Sequence, residues 1–371
     1  LALIGSVFEA RTHYTALLAA AQRLGTRELE LQVQLGLNLA LWRLGSYNAA
    51  RDASRAATEL ARELGDPYGE ALSLNNLGLV DWSQGNFSAA RELFAQSLAI
   101  RCEIGDRQGE ANSLNNLGLV ENSQGNYSTA LELHAQSIAV YREVGNAQGE
   151  AASLNNRGLV EHNQGNYGAA RELYAQSLTI FRELGDRLGE ANSLNNLGIV
   201  ECSQGNYSVA RELHAQSLTA YRELGDRQGE TNTISNLGNV EYNQGNYSAA
   251  RELYAQSLAI QREIGDKYGI VISCAAGAGA LAGLGHLHPA ALILYGVLYQ
   301  AAVPNYGFDV EDQPVIDSGL ARLDAAVASS EISAADLTRW KAEGEAMTLE
   351  ELADFALVAL LEPQQIAERQ S

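Results

Sequence analysis

The chain has 371 residues with a formal net charge of −20, 46% hydrophobic and 19% charged residues, 35 glycines and only 5 prolines. That hydrophobic content excludes a disordered chain, and the negative charge argues against a nucleic-acid-binding surface, which needs clustered Lys and Arg. No run of 18 apolar residues offers a membrane span. Cys102, Cys202 and Cys274 form neither a CxxC motif nor an even framework, which speaks against a disulfide scaffold or a zinc module.

The glycine excess has a cause: a repeat of 40 residues. Gly65, Gly105, Gly145, Gly185, Gly225 and Gly265 each end one unit, and Gly85, Gly125, Gly165, Gly205 and Gly245 each sit mid-unit. In chain order, residues 1–25 read as a partial unit and 26–65 as the first full one. Full units follow at 66–105, 106–145, 146–185, 186–225 and 226–265, and a degenerate unit at 266–302. Each unit reads as two helices of about 18 residues, roughly 27 Å long. In the second helix Tyr247, Ala250, Leu253, Tyr254, Ser257, Leu258 and Ile264 recur with helical spacing. Asp106, Asp186 and Asp226 are expected N-caps of the first helix, and Gly-Asn before an aromatic makes the inter-helix turn. The β-branched alternation that four strands per unit would need, as in a propeller blade, is absent.

Residues 303–371 depart from the frame, and residues 303–362 alone carry −10 of the net charge. Val303 to Pro314 reads as a linker, followed by helical segments with Ser333 and Thr348 as N-caps. Such a segment suits the role of cap, because an open repeat array must end in a polar-faced element.

The residues Leu194, Leu197, Gly198, Gly205, Tyr207, Ala210 and His214 mark one unit, and the same pattern recurs in register over 1–302. The pattern resembles a tetratricopeptide repeat (TPR) array. Its 40-residue unit, with LNNLG on the first helix, is similar to the kinesin light chain array and to the sensor arrays of bacterial STAND-type signalling ATPases. The string WKAEGEAMTLEELADFAL resembles the C-terminal end of those ATPases and their transcription-regulator relatives. The resemblance implies an all-α, right-handed TPR superhelix (an α-α solenoid) with a C-terminal helical cap, binding a protein or peptide in its concave groove. The chain departs from the usual 34-residue unit: Asp81, Glu121, Glu161, Glu201 and Glu241 replace the usual aromatic at position eleven, and the closing proline is missing. Residue 1 is Leu and the single Met is Met347, so the array is expected to belong to a longer chain with a linked effector or ATPase domain, in a cytoplasmic setting.

At about 3.6 residues per turn, positions two, five, six, nine, twelve and thirteen of the first helix share a face, which the resemblance makes the concave one. On it lie two asparagine rows, Asn75, Asn115, Asn155 and Asn195, and Asn76, Asn116, Asn156, Asn196 and Asn236. Amides offer both donor and acceptor, so they suit the backbone of an extended peptide; bonding to the neighbouring repeat is the competing use. Position twelve varies between units, through Trp82, Asn122, His162, Cys202 and Tyr242, as a binding surface should; drift on an exposed face is the competing reading. Arg157 replaces the leucine of position seven, and a guanidinium on a packed seam needs a carboxylate; Glu161 or Glu121 is the expected partner, in an internal ion pair. The carboxylates of position eleven are expected to pair with the arginine row at 91, 171, 211 and 251.

His134 and His214 occupy the position of Phe94, Tyr174 and Tyr254 and read as packing residues, not metal ligands. Gly277, Gly279, Gly283 and Gly285 lie on a first helix with no strand before them, against a dinucleotide fingerprint. No GxxxxGK[ST] motif and no nucleophile–base set occurs. Neither catalysis nor a metal or cofactor is expected, and the free-standing adaptor of the kinesin-light-chain kind is the main rival to the sensor reading.

Overall fold

The 40-residue frame becomes helix pairs because glycine recurs at every twentieth residue in the left-handed region. From Gly25 to Gly285 the fourteen turn glycines have φ between 65° and 84°, a conformation that costs other L-residues steric strain. A computed structural model of the chain describes residues 2–301 and 313–362. The regular elements among them are all α-helices.

The chain divides into two compact units, Leu1–Val200 and Glu201–Ser371. The first holds α1 (Ala2–Leu24), α2 (Arg27–Arg43), α3 (Tyr47–Leu64), α4 (Pro67–Ser83), α5 (Phe87–Ile104), α6 (Arg107–Ser123), α7 (Tyr127–Val144), α8 (Ala147–Asn163), α9 (Tyr167–Leu184) and most of α10 (Arg187–Ser203). The second continues through α11 (Tyr207–Leu224), α12 (Arg227–Asn243), α13 (Tyr247–Ile264), α14 (Lys267–Gly283) and α15 (Leu287–Ala301). It ends in α16 (Gln313–Ala328), α17 (Ala334–Glu345) and α18 (Leu349–Leu361).

Within each unit successive helices pack in antiparallel pairs on small residues. Ala71, Ala111, Ala151 and Ala191 on the first helices, and Ala90, Ala130, Ala170, Ala210 and Ala250 on the second, are at most 1% exposed. Between the pairs runs a row of buried serines. Ser97, Ser137 and Ser177 each donate to a backbone carbonyl of their own repeat (Ala71, Ala111, Ala151, 2.8–2.9 Å) and lie 3.0–3.2 Å from the serine hydroxyl of the next (Ser113, Ser153, Ser193). Each hydroxyl is thereby satisfied without water.

The first helices start where the sequence places them. Asp106, Asp186 and Asp226 accept from the backbone N–H three residues on, at 2.9–3.0 Å. Asp226→Ala should cost about 1 kcal/mol, read in a denaturant titration, with Asp226→Asn retaining most of it.

In the second unit the C-terminal helices cover the last pair. Ile316 and Leu323 of α16 and Leu352, Ala356 and Leu360 of α18 join Cys274, Leu281, Ile293 and Leu294 in one core. Ser333 caps α17, and Thr348 and Glu351 form a reciprocal capping box on α18. Of the expected linker, Gln313 and Pro314 begin α16, and its residues before 313 lie outside the described residues. Gly277, Gly279 and Gly283 sit on α14, as the repeat frame requires, whereas Gly285 lies in the turn after that helix.

Candidate peptide-binding face

The asparagine rows are tied between repeats. Asn116 donates to Asn75 Oδ1 at 2.9 Å, and Asn156 donates to Asn115 Oδ1 at 3.1 Å. Asn155 is bonded instead to the Ser193 hydroxyl, at 3.0 Å. Position six of one repeat thus reaches position five of the repeat before it. Asn75 is 7% exposed, while Asn76, Asn116, Asn156 and Asn196 are half-buried. Asn195 and Asn236 are also held by interactions with other groups. Among the described residues Asn76 and Asn196 make no side-chain hydrogen bond. For Asn76 the reason is in the sequence, because Leu35 stands where its acceptor would be.

Position twelve is tied in the same way to position thirteen of the following repeat, a partner that the sequence reading had not singled out. Trp42 Nε1 donates to Ser83 Oγ (2.8 Å), Trp82 Nε1 to Ser123 Oγ (3.2 Å), Asn163 to Asn122 Oδ1 (3.2 Å) and Asn243 to Cys202 Sγ (3.5 Å). The signal was present: serine follows a tryptophan in the preceding repeat, and asparagine follows Asn or Cys. His162 packs on Tyr167 with ring centroids 5.4 Å apart. Tyr242 differs from the rest of its row. Its hydroxyl lies 3.1 Å from Ser318 Oγ of α16 and its ring 5.3 Å from Tyr247, so α16 occupies the face where an external ligand was expected to meet it.

Between the two tied rows runs position nine. In the first unit this is Leu39, Leu79, Leu119, Leu159 and Ile199, half-buried except for Leu39, which is exposed. This aliphatic stripe is the feature that sequence reasoning passed over. Toward the N-terminal ends of α2 and α4, which carry its first two members, Leu31, Leu35, Leu64, Tyr68 and Leu72 line an open cavity of about 600 Å³ together with the carboxylates of Glu28 and Asp66.

The charges lie beside this floor. Arg91 pairs with Glu121 at 2.9 Å, Arg211 with Glu241 at 2.7 Å, and Arg51 with Asp81. The expected pairing of Arg157 is not made: among the described residues it forms no ion pair with Glu121 or Glu161. Glu121 is already taken by Arg91 and by Asn126 Nδ2, at 2.8 Å, and Glu161 accepts from Asn166 Nδ2 at 2.9 Å. Arg251 lacks a position-eleven carboxylate because Leu281 stands there, and its ion-pair contact is Glu252, at 3.6 Å.

His134 and His214 are buried. Burial holds both far below the ordinary histidine range, to about 4, with the charge of Arg157 adding to the effect at His134. Among the described residues no three His, Cys, Asp or Glu side chains converge as metal ligands do, and no helix is long and apolar enough to cross a membrane. Cys102 is exposed, Cys202 half-buried and Cys274 buried, all as free thiols.

Stacked helix pairs closed by left-handed glycines, with small residues at the contacts and a repeated face on the first helices, define a helical-repeat protein. Tetratricopeptide repeat models match residues 30–103, 69–143 and 149–223, and a further one matches 231–264. The chain belongs to the tetratricopeptide repeat family.

No curated protein matches it. Among solved structures it is similar to a Rap protein complexed with Competence and Sporulation Factor, at 14% identity and a TM-score of 0.63, over 95% of this chain and 99% of that one. A signal transduction ATPase with numerous domains (STAND) carrying a TPR sensor, from Pyrococcus horikoshii, matches at 14% identity and a TM-score of 0.58, over 91% of this chain but 54% of its own. BtubC (BKLC) from P. vanneervenii matches at 18% identity and a TM-score of 0.51, over 59% and 92%. At these identities the likeness is one of fold.

Proposed function

We propose that the first-helix face is a groove for an extended peptide, and that the chain works as a non-catalytic binding scaffold. The observation that carries this reading is the composition of the floor from residue 72 to 163: aliphatic side chains at position nine, flanked by amides, tryptophan and histidine, without a single carboxylate or ammonium among positions two, five, six, nine, twelve and thirteen. In a chain of −20, a neutral strip suits the backbone and apolar side chains of a peptide. The cavity at Leu35 and Leu72, which Glu28 and Asp66 also line, would seat an apolar anchor with a polar or basic end. The Rap protein, whose structure contains a bound factor, lends its fold as further support.

On this reading residues 1–302 form the binding array and 303–371 its cap. The STAND likeness favours a ligand-sensing region of a larger, cytoplasmic signalling ATPase, in which binding would bias the linked domain between two states. The rival is a free-standing adaptor.

The tied and untied amides separate the two uses of the asparagine rows. Heptapeptides selected from a displayed random library on the wild-type chain supply the probes. Replacing Asn76 and Asn196 with Ala should weaken those peptides about tenfold or more with the melting temperature unchanged. Replacing Asn116 and Asn156 should cost about 1 kcal/mol of stability for each lost inter-repeat bond. Undiminished affinity in the Asn76/Asn196 variant would sink the groove reading.

A further inference from the structure

In two repeats the second residue of a first helix is bonded to the N-cap of the next first helix. Gln148 donates to Asp186 Oδ2 at 3.0 Å, and Gln228 donates to Asp266 Oδ2 at 2.9 Å. In the first full repeat the corresponding residues are Glu28 and Asp66, and of the six full repeats this is the one where both are carboxylates. Both line the cavity beside α2 and α4. Asp66 Oδ1 accepts from the backbone N–H of Gly69 at 2.9 Å, which leaves Oδ2 over. Among the described residues neither Glu28 nor Asp66 forms an ion pair. The arginines next to them in the chain are engaged elsewhere, Arg27 by Glu63 and Arg62 by Glu70.

The apolar wall departs from the repeat at the same place. Leu72 and Leu35 are the only leucines at positions two and five of the full repeats, where the others carry Asn, Gln, Ala or Ser. Both are half-buried, as is Leu64, and Tyr68 is exposed. Three departures from the consensus, Glu28, Leu35 and Leu72, thus converge on one cavity of about 600 Å³. It combines an aliphatic wall with two carboxylates that have no counter-ion. Among the described residues no third His, Cys, Asp or Glu joins them as a metal site would need.

We propose that this cavity is an arginine pocket, which takes the side chain of an Arg in the bound peptide. This rests on the groove reading above and names what its N-terminal end selects. The aliphatic stem of the arginine lies along Leu35, Leu64 and Leu72, and its guanidinium is held by Glu28 and Asp66. A planar guanidinium offers five donors and bonds carboxylates through parallel N–H···O pairs, and it is more weakly hydrated than an ammonium, so arginine suits the site better than lysine. The ring of Tyr68 adds a face for the cation.

The test is selection of a displayed random heptapeptide library, at about 0.15 M salt so that distant charges are screened, on the wild type and two variants. Glu28→Gln/Asp66→Asn removes both carboxylates. It should fold with an unchanged melting temperature, because Gln148 and Gln228 already fill the first place and Asn146 already caps α8 by accepting from Gly149 N–H at 2.9 Å. Glu92→Gln/Glu132→Gln removes two exposed carboxylates of second helices and controls for net charge. The expected result is enrichment of Arg at one peptide position on the wild type and the control, and none on Glu28→Gln/Asp66→Asn. Synthetic copies with citrulline, the neutral isostere, in place of that Arg should bind the wild type roughly ten- to hundredfold more weakly, in line with loss of a charged hydrogen-bonded pair, and should show no such penalty on Glu28→Gln/Asp66→Asn. Equal enrichment of Lys and Arg overturns the assignment to arginine. An Arg preference that survives on Glu28→Gln/Asp66→Asn, one that is also lost on the control, or peptides with no basic preference, each overturn the pocket while the groove stands. Selection of no peptide on any of the three overturns both the pocket and the groove reading.

Discussion

Gly158→Leu is expected to be among the most damaging single substitutions in the array, with a loss of about 3 kcal/mol or more. Gly158 sits on α8 where α9 crosses it. A Cβ built there would lie 2.7 Å from Cε1 of Tyr174 and 2.9 Å from its Cδ1. Tyr174 is 2% exposed and its ring has no room to retreat. The same approach recurs at Gly78 with Phe94, Gly118 with His134 and Gly238 with Tyr254, each at 2.6 Å. Position eight is thus the hinge of the helix pair, and leucine adds three more carbons beyond the Cβ that already collides. A unit of this size should lose roughly 2–4 °C in melting temperature per kcal/mol, so a drop near 10 °C in the transition of the first unit is expected. The contrasting substitution is Gly168→Ala in α9, where nothing lies within 4 Å of a built Cβ. It should leave stability unchanged or raise it by about 0.5 kcal/mol through helix propensity. Equal melting temperatures for Gly158→Leu and the wild type would mean that the pairs do not close on this glycine.

The parts of this structure that follow from local chemistry were legible in the sequence. Left-handed turns demand glycine, helix starts demand Asp or Asn, and close crossings demand Gly or Ala, so a 40-residue period in those letters maps directly onto helix pairs. His134 and His214 could be read as packing residues because the frame put them in line with Phe94 and Tyr174. What was not legible depends on competition between partners. Arg157 has a carboxylate one turn away in Glu161, yet the two do not pair, although Glu161 keeps only the Asn166 bond and Arg91 holds Glu121; helical spacing alone does not tell which neighbours meet. The asparagine rows could serve a ligand or the next repeat, and the distance between repeats, which the sequence does not contain, decides that Asn116 reaches Asn75. Tyr242 looked like its counterparts Trp82 and His162 until α16, from outside the repeat frame, met it through Ser318. The buried serine row was read only as part of an apolar face, because a serine at helical spacing looks small before it looks polar.

The second large effect is on pH. His134 and His214 replace aromatic rings at the core of two repeats, one in each compact unit, and burial holds both to about 4. An unfolded histidine titrates near 6.5. Because the folded value is depressed, the native state binds fewer protons than the unfolded one between these limits. Stability is then fully present above about pH 6.5 and is lost as the pH falls toward 4. Each histidine should contribute roughly 3 kcal/mol to that loss. The local cause is visible at His134. Its Nδ1 lies 3.0 Å from Asn115 Oδ1, which identifies it as the protonated nitrogen, and its Nε2 is buried with no partner. A second proton there would place a charge in a dry site beside the cation of Arg157. Repeats with Phe94 in this place show what removes the liability. His134→Phe/His214→Phe should unfold at nearly the same denaturant concentration at pH 7 and pH 5, whereas the wild type should lose several kcal/mol over that range. Either single variant should protect only the unit that contains it. Carboxylates also begin to protonate below pH 5, so the comparison that decides is the difference between variant and wild type. Parallel pH profiles for the two proteins would show that these histidines are not what limits the fold in acid.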